Sequence, residues 1–151
     1  MIEIVYYILQ STSILSGNKL TKAKMIKYIF GIGNPGAEYE NTYHNIGKVF
    51  LEFIKGRQKK DENQIFGNIK IFQSDLFMNE SGLFVSKKLK NTNLKTEEVA
   101  IVHDDSDLHI GKFKIDFDAG SAGHNGIENI IQNLGTKKFW RIRIGIRPDK
   151  E

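Results

Sequence analysis

The chain contains no cysteine, only two prolines and a single tryptophan in 151 residues. Without thiols there is no disulfide framework and no thiolate metal site. With so little proline and no Gly/Ser-rich stretch, nothing marks a linker between domains. Long apolar runs are also missing. Ile2–Leu9 is apolar, but a membrane-spanning helix needs roughly 20 such residues. The same stretch lacks the basic flank of a signal peptide. With no export signal and no thiol, the cytoplasm is the default location. No internal repeat is present.

What is present suits one packed domain. Hydrophobic residues make up 40% and charged residues 26%, ordinary globular usage for a chain long enough to bury one core. The formal net charge is +4, with a pI near 9.2, which suits a polyanionic partner. Basic residues gather at Lys55, Arg57, Lys59 and Lys60, at Lys87, Lys88 and Lys90, and at Lys137, Lys138, Arg141, Arg143 and Arg147. Most such runs are solvated surface.

Hydrophobic periodicity gives the expected elements. A strand over Lys27–Gly31 leads into a glycine-rich loop, then a helix over Asn45–Ile54 with Phe50, Leu51, Phe53 and Ile54 as core. A hairpin is expected around Gly67-Asn68, with arms Ile65-Phe66 and Ile69–Phe72. A helix over Glu80–Leu89 and strands at Val99–His103 and Lys112–Phe117 follow. A helix after Asn125 and a strand at Trp140–Ile146 complete the map. Helices between strands imply α/β layering, and the hairpin and late strands imply a mixed sheet.

Four polar segments carry the chemistry. Phe30–Gly47 reads FGIGNPGAEYENTYHNIG and places Asn34, Tyr39 and His44 in one loop. Gly31, Gly33 and Gly36 fit the dinucleotide fingerprint literally, but that motif must open a helix whose N–H groups hold a pyrophosphate. Pro35 has no N–H to give, and no apolar helical period begins before Ile46. Val99–Asp107 is an apolar β-branched run ending in His103, Asp104, Asp105 and Asp107. It reads as a solvated acidic turn, as a divalent-metal site, or as a carboxylate that orients a histidine. Gly120–Gly126 is GSAGHNG, with Asn125 or His124 at an N-cap position and glycines that admit a bulky ligand. Phe77–Val85 carries Met78, Asn79 and Ser81-Gly82 at a helix start.

In this order, followed by the RIRIGI strand, these motifs resemble the bacterial-type peptidyl-tRNA hydrolases, over roughly Met25 to Pro148. The resemblance implies one α/β domain with a twisted mixed sheet flanked by helices. It implies an esterase that releases a peptide or N-acyl-amino acid from the 3′ ribose of tRNA, freeing the tRNA for translation. It implies no cofactor and no metal; peptidyl-tRNA is the expected partner, with no membrane involved and a monomer as the working form. His44 matches the base that activates water and Asp104 its carboxylate partner. Asn34, Asn79 and Asn125 match groups that hold the peptidyl backbone, the ester or the water. Tyr39, Met78 and His124 match residues lining the cleft. Arg143, with Lys114 nearby, matches the tRNA phosphate contacts. No covalent intermediate is expected, because neither Ser81 nor Ser121 stands in a nucleophile elbow.

The chain departs from the pattern in places. Tyr43 stands where arginine is usual, Ser106 where leucine is usual, Ala122 near a usual glycine, and Asp116 where the family carries lysine or arginine. The last departure weakens the expected phosphate clamp. Residues 1–24 have no counterpart in the motifs, so the expectation is an N-terminal extension ahead of a domain over 25–151, with Met25 as initiator. The usual C-terminal segment is expected to be lacking after Glu151. The alternative function is an RNA-binding relative with impaired turnover. A nucleotide-binding enzyme built on the Gly33 turn is more distant.

Overall fold

The computed structural model describes residues 26–58 and 69–148. Five strands and three α-helices alternate along them: β1 (Tyr28–Gly31), α1 (Ile46–Gln58), β2 (Lys70–Gln73), α2 (Ser81–Leu89), β3 (Val99–His109), β4 (Phe113–Phe117), α3 (Asn125–Leu134) and β5 (Trp140–Arg147). The strand order is β2-β1-β3-β5-β4. All pairings are parallel except that of β4 with β5. The sheet is therefore mixed and the class is α/β, as the helix–strand alternation predicts.

The apolar run Val99–Val102 is completely buried because helices cover both sheet faces. Alternate residues serve alternate faces. Ala100 and Val102 join Ile29 in a core with Phe50, Leu51 and Ile54 of α1. Val99 and Ile101 join Phe30 in a second core with Phe84 and Val85 of α2 and Ile127 and Ile130 of α3. Phe50, Leu51 and Ile54 are the core residues their spacing predicts, and Phe53 packs at the margin.

The topology decides where a site can form. The chain leaves β1 through α1 to reach β2 on one side. It then passes through α2 to β3 on the other side of β1. Right-handed crossovers in opposite directions put their helices on opposite faces. The connections thus part at the C-terminal ends of β1 and β3, where open α/β sheets leave a crevice. The loop after β1 and the acidic end of β3 both lie there.

Two expectations change. β3 runs on to His109 instead of ending at His103, pairing with β5 through Asp105↔Gly145 before a register shift. The charges that suggested a turn are met by partners from β5, so the strand continues. The expected hairpin is not formed by its second arm: Ile69–Phe72 corresponds to β2, which pairs parallel to β1. Its first arm and turn, residues 65–68, lie outside the described residues, as do residues 1–24 and Met25. The dinucleotide fingerprint, disfavoured by Pro35, indeed opens no α-helix. Gly36 is followed by a single 3-10 turn, Ala37–Tyr39, and the first α-helix begins at Ile46. Among the described residues no helix is long and apolar enough to cross a membrane.

One close approach fixes α1 on the sheet. A Cβ at Gly47 would lie 2.4 Å from the Val102 carbonyl oxygen and 2.9 Å from that of Ile32. Only glycine lets the start of α1 rest on the backbones of β1 and β3, which brings His44 over Asp104. Gly47→Ala is predicted to destabilise the fold by about 3 kcal/mol, the upper range for forced overpacking, and to lower activity beyond the loss of folded protein. Denaturant unfolding of the variant beside the parent checks this; equal midpoints would show that the contact is not tight.

Candidate active site

Each motif segment delivers its side chains to the crevice. The loop after β1 is tied down by Asn45, which is buried. Asn45 Oδ1 accepts from the Asn34 backbone N–H at 2.7 Å, and its Nδ2 donates to the Asn34 carbonyl at 3.0 Å. Lys48 Nζ donates to the same carbonyl at 3.1 Å. Asn45 directly follows His44, so one short 3-10 turn, Tyr43–Asn45, both presents the imidazole and anchors the opposing loop. Sequence reading assigned Asn45 no role; its only signal is its place beside the histidine.

The side chain of Asn34 is oriented too. Its Oδ1 accepts from the Met78 backbone N–H at 2.8 Å. A backbone amide can only donate, so the Asn34 NH2 is turned elsewhere, and Asn34 lines the cleft. This single bond joins the first and fourth motif segments across 44 positions of sequence.

At the centre stands Asp104, near the end of the buried part of β3. Its side chain is only 5% exposed and lies between two histidines. Oδ2 is 2.8 Å from His44 Nδ1, and Oδ1 is 2.9 Å from His124 Nε2. The His124 tautomer follows from its other nitrogen. Nδ1 accepts from the Ile127 backbone N–H at 3.2 Å and caps α3, so the proton sits on Nε2 and is donated to Asp104. His124, rather than Asn125, is therefore the N-cap. Asp104 accepts from His44 Nδ1–H with its second oxygen, which leaves His44 Nε2 with its lone pair on a side chain 63% exposed. Burial alone would push the Asp104 carboxyl up. The hydrogen bond and charge of His124, joined by those of His44, outweigh it and hold Asp104 below the usual carboxylate range.

His103 points to the opposite face of β3 and is buried. Its Nδ1 is 2.7 Å from the Asp104 carbonyl oxygen and donates to it. Its ring meets His124 edge-on, with centroids 4.7 Å apart. Burial first, then the neighbouring His124, pushes His103 down to about 3, so the imidazole is neutral at physiological pH. Sequence reading placed His103 among the acidic turn residues and missed its part in packing against His124.

These groups line a cleft of about 360 Å³, which includes Asn34, His44, Met78, Asp104, His124 and Asn125. Asn125 is the first residue of α3 and is exposed. Tyr39, Asn79 and Lys114 of the expected residues stand outside this lining. Tyr39 packs edge-on against Phe77 at 6.2 Å, and Asn79 is exposed in the 3-10 turn Met78–Glu80. Arg143 lines the cleft, but Asp105 and Asp116 both accept from its guanidinium. Lys114 pairs with Asp116 at 3.2 Å. Among the described residues no group of three or more His, Asp or Glu is arranged to hold a metal ion.

Comparison with known proteins identifies the family. The peptidyl-tRNA hydrolase family model matches residues 28–151. The peptidyl-tRNA hydrolase of Neisseria meningitidis serogroup A is 37% identical over 134 aligned positions, covering 80% of this chain and 70% of the relative. That of Coxiella burnetii is 38% identical over 130 positions with the same coverage. Among solved structures, the peptidyl-tRNA hydrolase from Acinetobacter baumannii superposes with a TM-score of 0.70 at 30% identity, covering 83% of this chain and 70% of that one. A peptidyl-tRNA hydrolase in complex with N-propanol gives 0.74 at 29% identity over the same shares. The class is thus that of a hydrolase built on a mixed α/β sheet. Within that class, the chain belongs to the peptidyl-tRNA hydrolase family.

The buried histidine makes stability depend on pH. His103 is neutral in the fold, whereas the unfolded chain takes up a proton near pH 6.5. The unfolded state binds more protons below that value, so stability falls as pH drops. The loss begins near pH 6.5 and continues toward about 3, where Asp104 adds its own loss. His103→Asn, which keeps a donor and does not titrate, is predicted to flatten the slope between about pH 6.5 and 4.5. Urea midpoints across that range check this; parallel slopes for parent and variant would remove His103 as the cause.

Proposed function

We propose that this chain hydrolyses the ester joining a peptide or N-acyl-amino acid to the 3′ ribose of tRNA, with His44 as general base. The observation that carries the reading is the Asp104 carboxylate held between two imidazoles. One of them, His44, has its second nitrogen free toward the cleft. An imidazole is the side chain whose ordinary range lies nearest neutral pH, and ester hydrolysis at that pH needs a base to take a proton from water.

The steps follow from that placement. His44 Nε2 takes a proton from a water molecule as its oxygen attacks the ester carbonyl. Asp104 stabilises the imidazolium that forms and keeps its ring in register. The carbonyl oxygen becomes an oxyanion, which needs donors already pointed at it. The Asn34 NH2, fixed by the Met78 bond, and Asn125 at the start of α3 supply neutral ones. An oriented amide contributes on the order of 3 kcal/mol to such a transition state. Neutral donors also let the product carboxylate leave, where a cation would hold it. The tetrahedral intermediate collapses by expelling the ribose oxygen, which receives the proton from His44, and the base is restored. Met78 and His124 wall the cleft. Tyr39 and Asn79 flank its approach, and Lys114 and Arg143 face the nucleic-acid side. The working form is a monomer in the cytoplasm.

The test is release of N-acyl-amino acid from N-acyl-aminoacyl-tRNA by the purified chain. His44→Ala is predicted to lower kcat by about 10²- to 10⁴-fold while tRNA binding persists. Asp104→Asn probes the tautomer argument. His124 presents an N–H, so the new amide turns its oxygen there and its NH2 toward His44. That moves the His44 proton onto Nε2 and removes the base, with a loss on the order of 10³- to 10⁴-fold. Turnover by the parent that survives both changes would overturn the assignment. A parent that binds tRNA without turnover would support the RNA-binding reading instead.

A further inference from the structure

A second arrangement of charge lies at the sheet edge beside the cleft. Antiparallel pairing sets Lys114 opposite Arg143 and Asp116 opposite Arg141, so the four side chains stand on one face. Asp116 is at their centre. Its Oδ1 accepts from Lys114 Nζ at 3.2 Å, and its Oδ2 accepts from Arg143 Nη1 at 2.7 Å. Arg141 Nη2 stands 4.0 Å from the same Oδ2. Three cations thus converge on one carboxylate. Asp105 takes the Arg143 Nε–H and fixes the direction in which that guanidinium points. Lys114 is 57% exposed, Arg143 is 13% exposed and lines the cleft, and Arg141 is enclosed beneath them.

Guanidinium and ammonium groups gathered around two oxygens form the arrangement that receives a phosphate. Here the chain supplies the anion itself. We propose that Asp116 is a built-in counter-anion occupying a phosphate site made by Lys114 and Arg143 over Arg141, and that it sets how firmly this enzyme grips the backbone of its substrate. The inference rests on the tRNA-ester reading above. A substrate phosphate must displace Asp116 from both cations, so their attraction is largely spent inside the protein before tRNA arrives. Asp116 is thereby a specificity-determining residue acting on binding, remote from the bond that breaks.

Asp116→Asn tests this, with Glu97→Gln as the charge-matched control. Glu97 lies in the turn before β3, at the end of the strand away from the cleft. The expected result for Asp116→Asn is a KM for N-acyl-aminoacyl-tRNA lower by roughly fivefold. Its dependence on salt should steepen by about one charge, with kcat unchanged. The control should show neither effect. Inorganic phosphate should raise the melting temperature of Asp116→Asn more than that of the parent or the control. Asp116→Asn removes the counter-ion of an enclosed arginine, so a measurement on the parent accompanies it. In the parent, NMR signals of the Arg143 Nε–H and Lys114 Nζ should not move at millimolar phosphate. Movement there would overturn the proposal, as would an Asp116→Asn protein no different from the control. If the parent proves unable to turn over the ester, the tRNA-ester reading fails, and the phosphate measurements still decide whether the site exists.

Discussion

The site depends on one buried carboxylate. A charge with the exposure of Asp104 is costly to take out of water unless it is paired and hydrogen-bonded. Asp104 meets that condition with an imidazole on each oxygen. Each histidine belongs to a different element: His44 to the turn before α1, His124 to the cap of α3. The two helices pack on opposite faces of the sheet, and Asp104 joins their N-terminal ends at the crevice between β1 and β3. The same pair of bonds therefore satisfies a buried charge, sets two tautomers and closes the top of the sheet.

The rest of the architecture supplies reach and direction. Gly47 lets α1 approach the strand backbones, and Asn45, directly after His44, ties the glycine-rich loop to the turn before α1. The helix cap is chemically unusual. An imidazole caps with one nitrogen and reports to the carboxylate with the other, so the start of α3 and the charge of Asp104 are coupled through one ring. A Ser or Asp cap would satisfy the helix equally well but would leave Asp104 with a single partner. A Cβ at Gly126 would press on Met78 Sδ and stand 3.1 Å from the His124 ring.

Much of this was legible in the sequence because it is carried by residue type and order. The β-branched run of β3, the 3.6-residue spacing of α3 and the alternation in β4 and β5 each read as the element they form. Asn34, Tyr39 and His44 stand out because a merely structural loop needs no such groups, whereas Asp104 and Asn125 stand out only through the order of the motifs. The length of β3 was not legible. Asp105 is buried only because Arg143 comes alongside from β5, a partner 38 positions away. Local composition says turn, and tertiary pairing says strand. Asn45 was hidden for a related reason: its role lies in bonds to a loop eleven positions earlier, and no local pattern marks it. Asp116 was visible as a departure from the family pattern, but the cations around it depend on the β4–β5 register.

The two faces of β3 divide the electrostatic labour. Alternation sends Asp104 toward the start of α1 and sends His103 and Asp105 to the other face, where Arg143 lies beside them in register. Asp104 is answered by an imidazole from each side, His44 before α1 and His124 at the cap of α3. On the second face carboxylates are answered by guanidinium groups, whose charge is permanent at any working pH. The Arg143 guanidinium is held still more firmly in its charged form: burial would lower it, but the bonds from Asp116 and Asp105 outweigh that. An imidazole-paired carboxylate and a guanidinium-paired one thus sit back to back on one strand. Their separation by a single peptide unit lets the charge around Arg143 vary, as Asp116 illustrates, without the His44–Asp104 pair having to change.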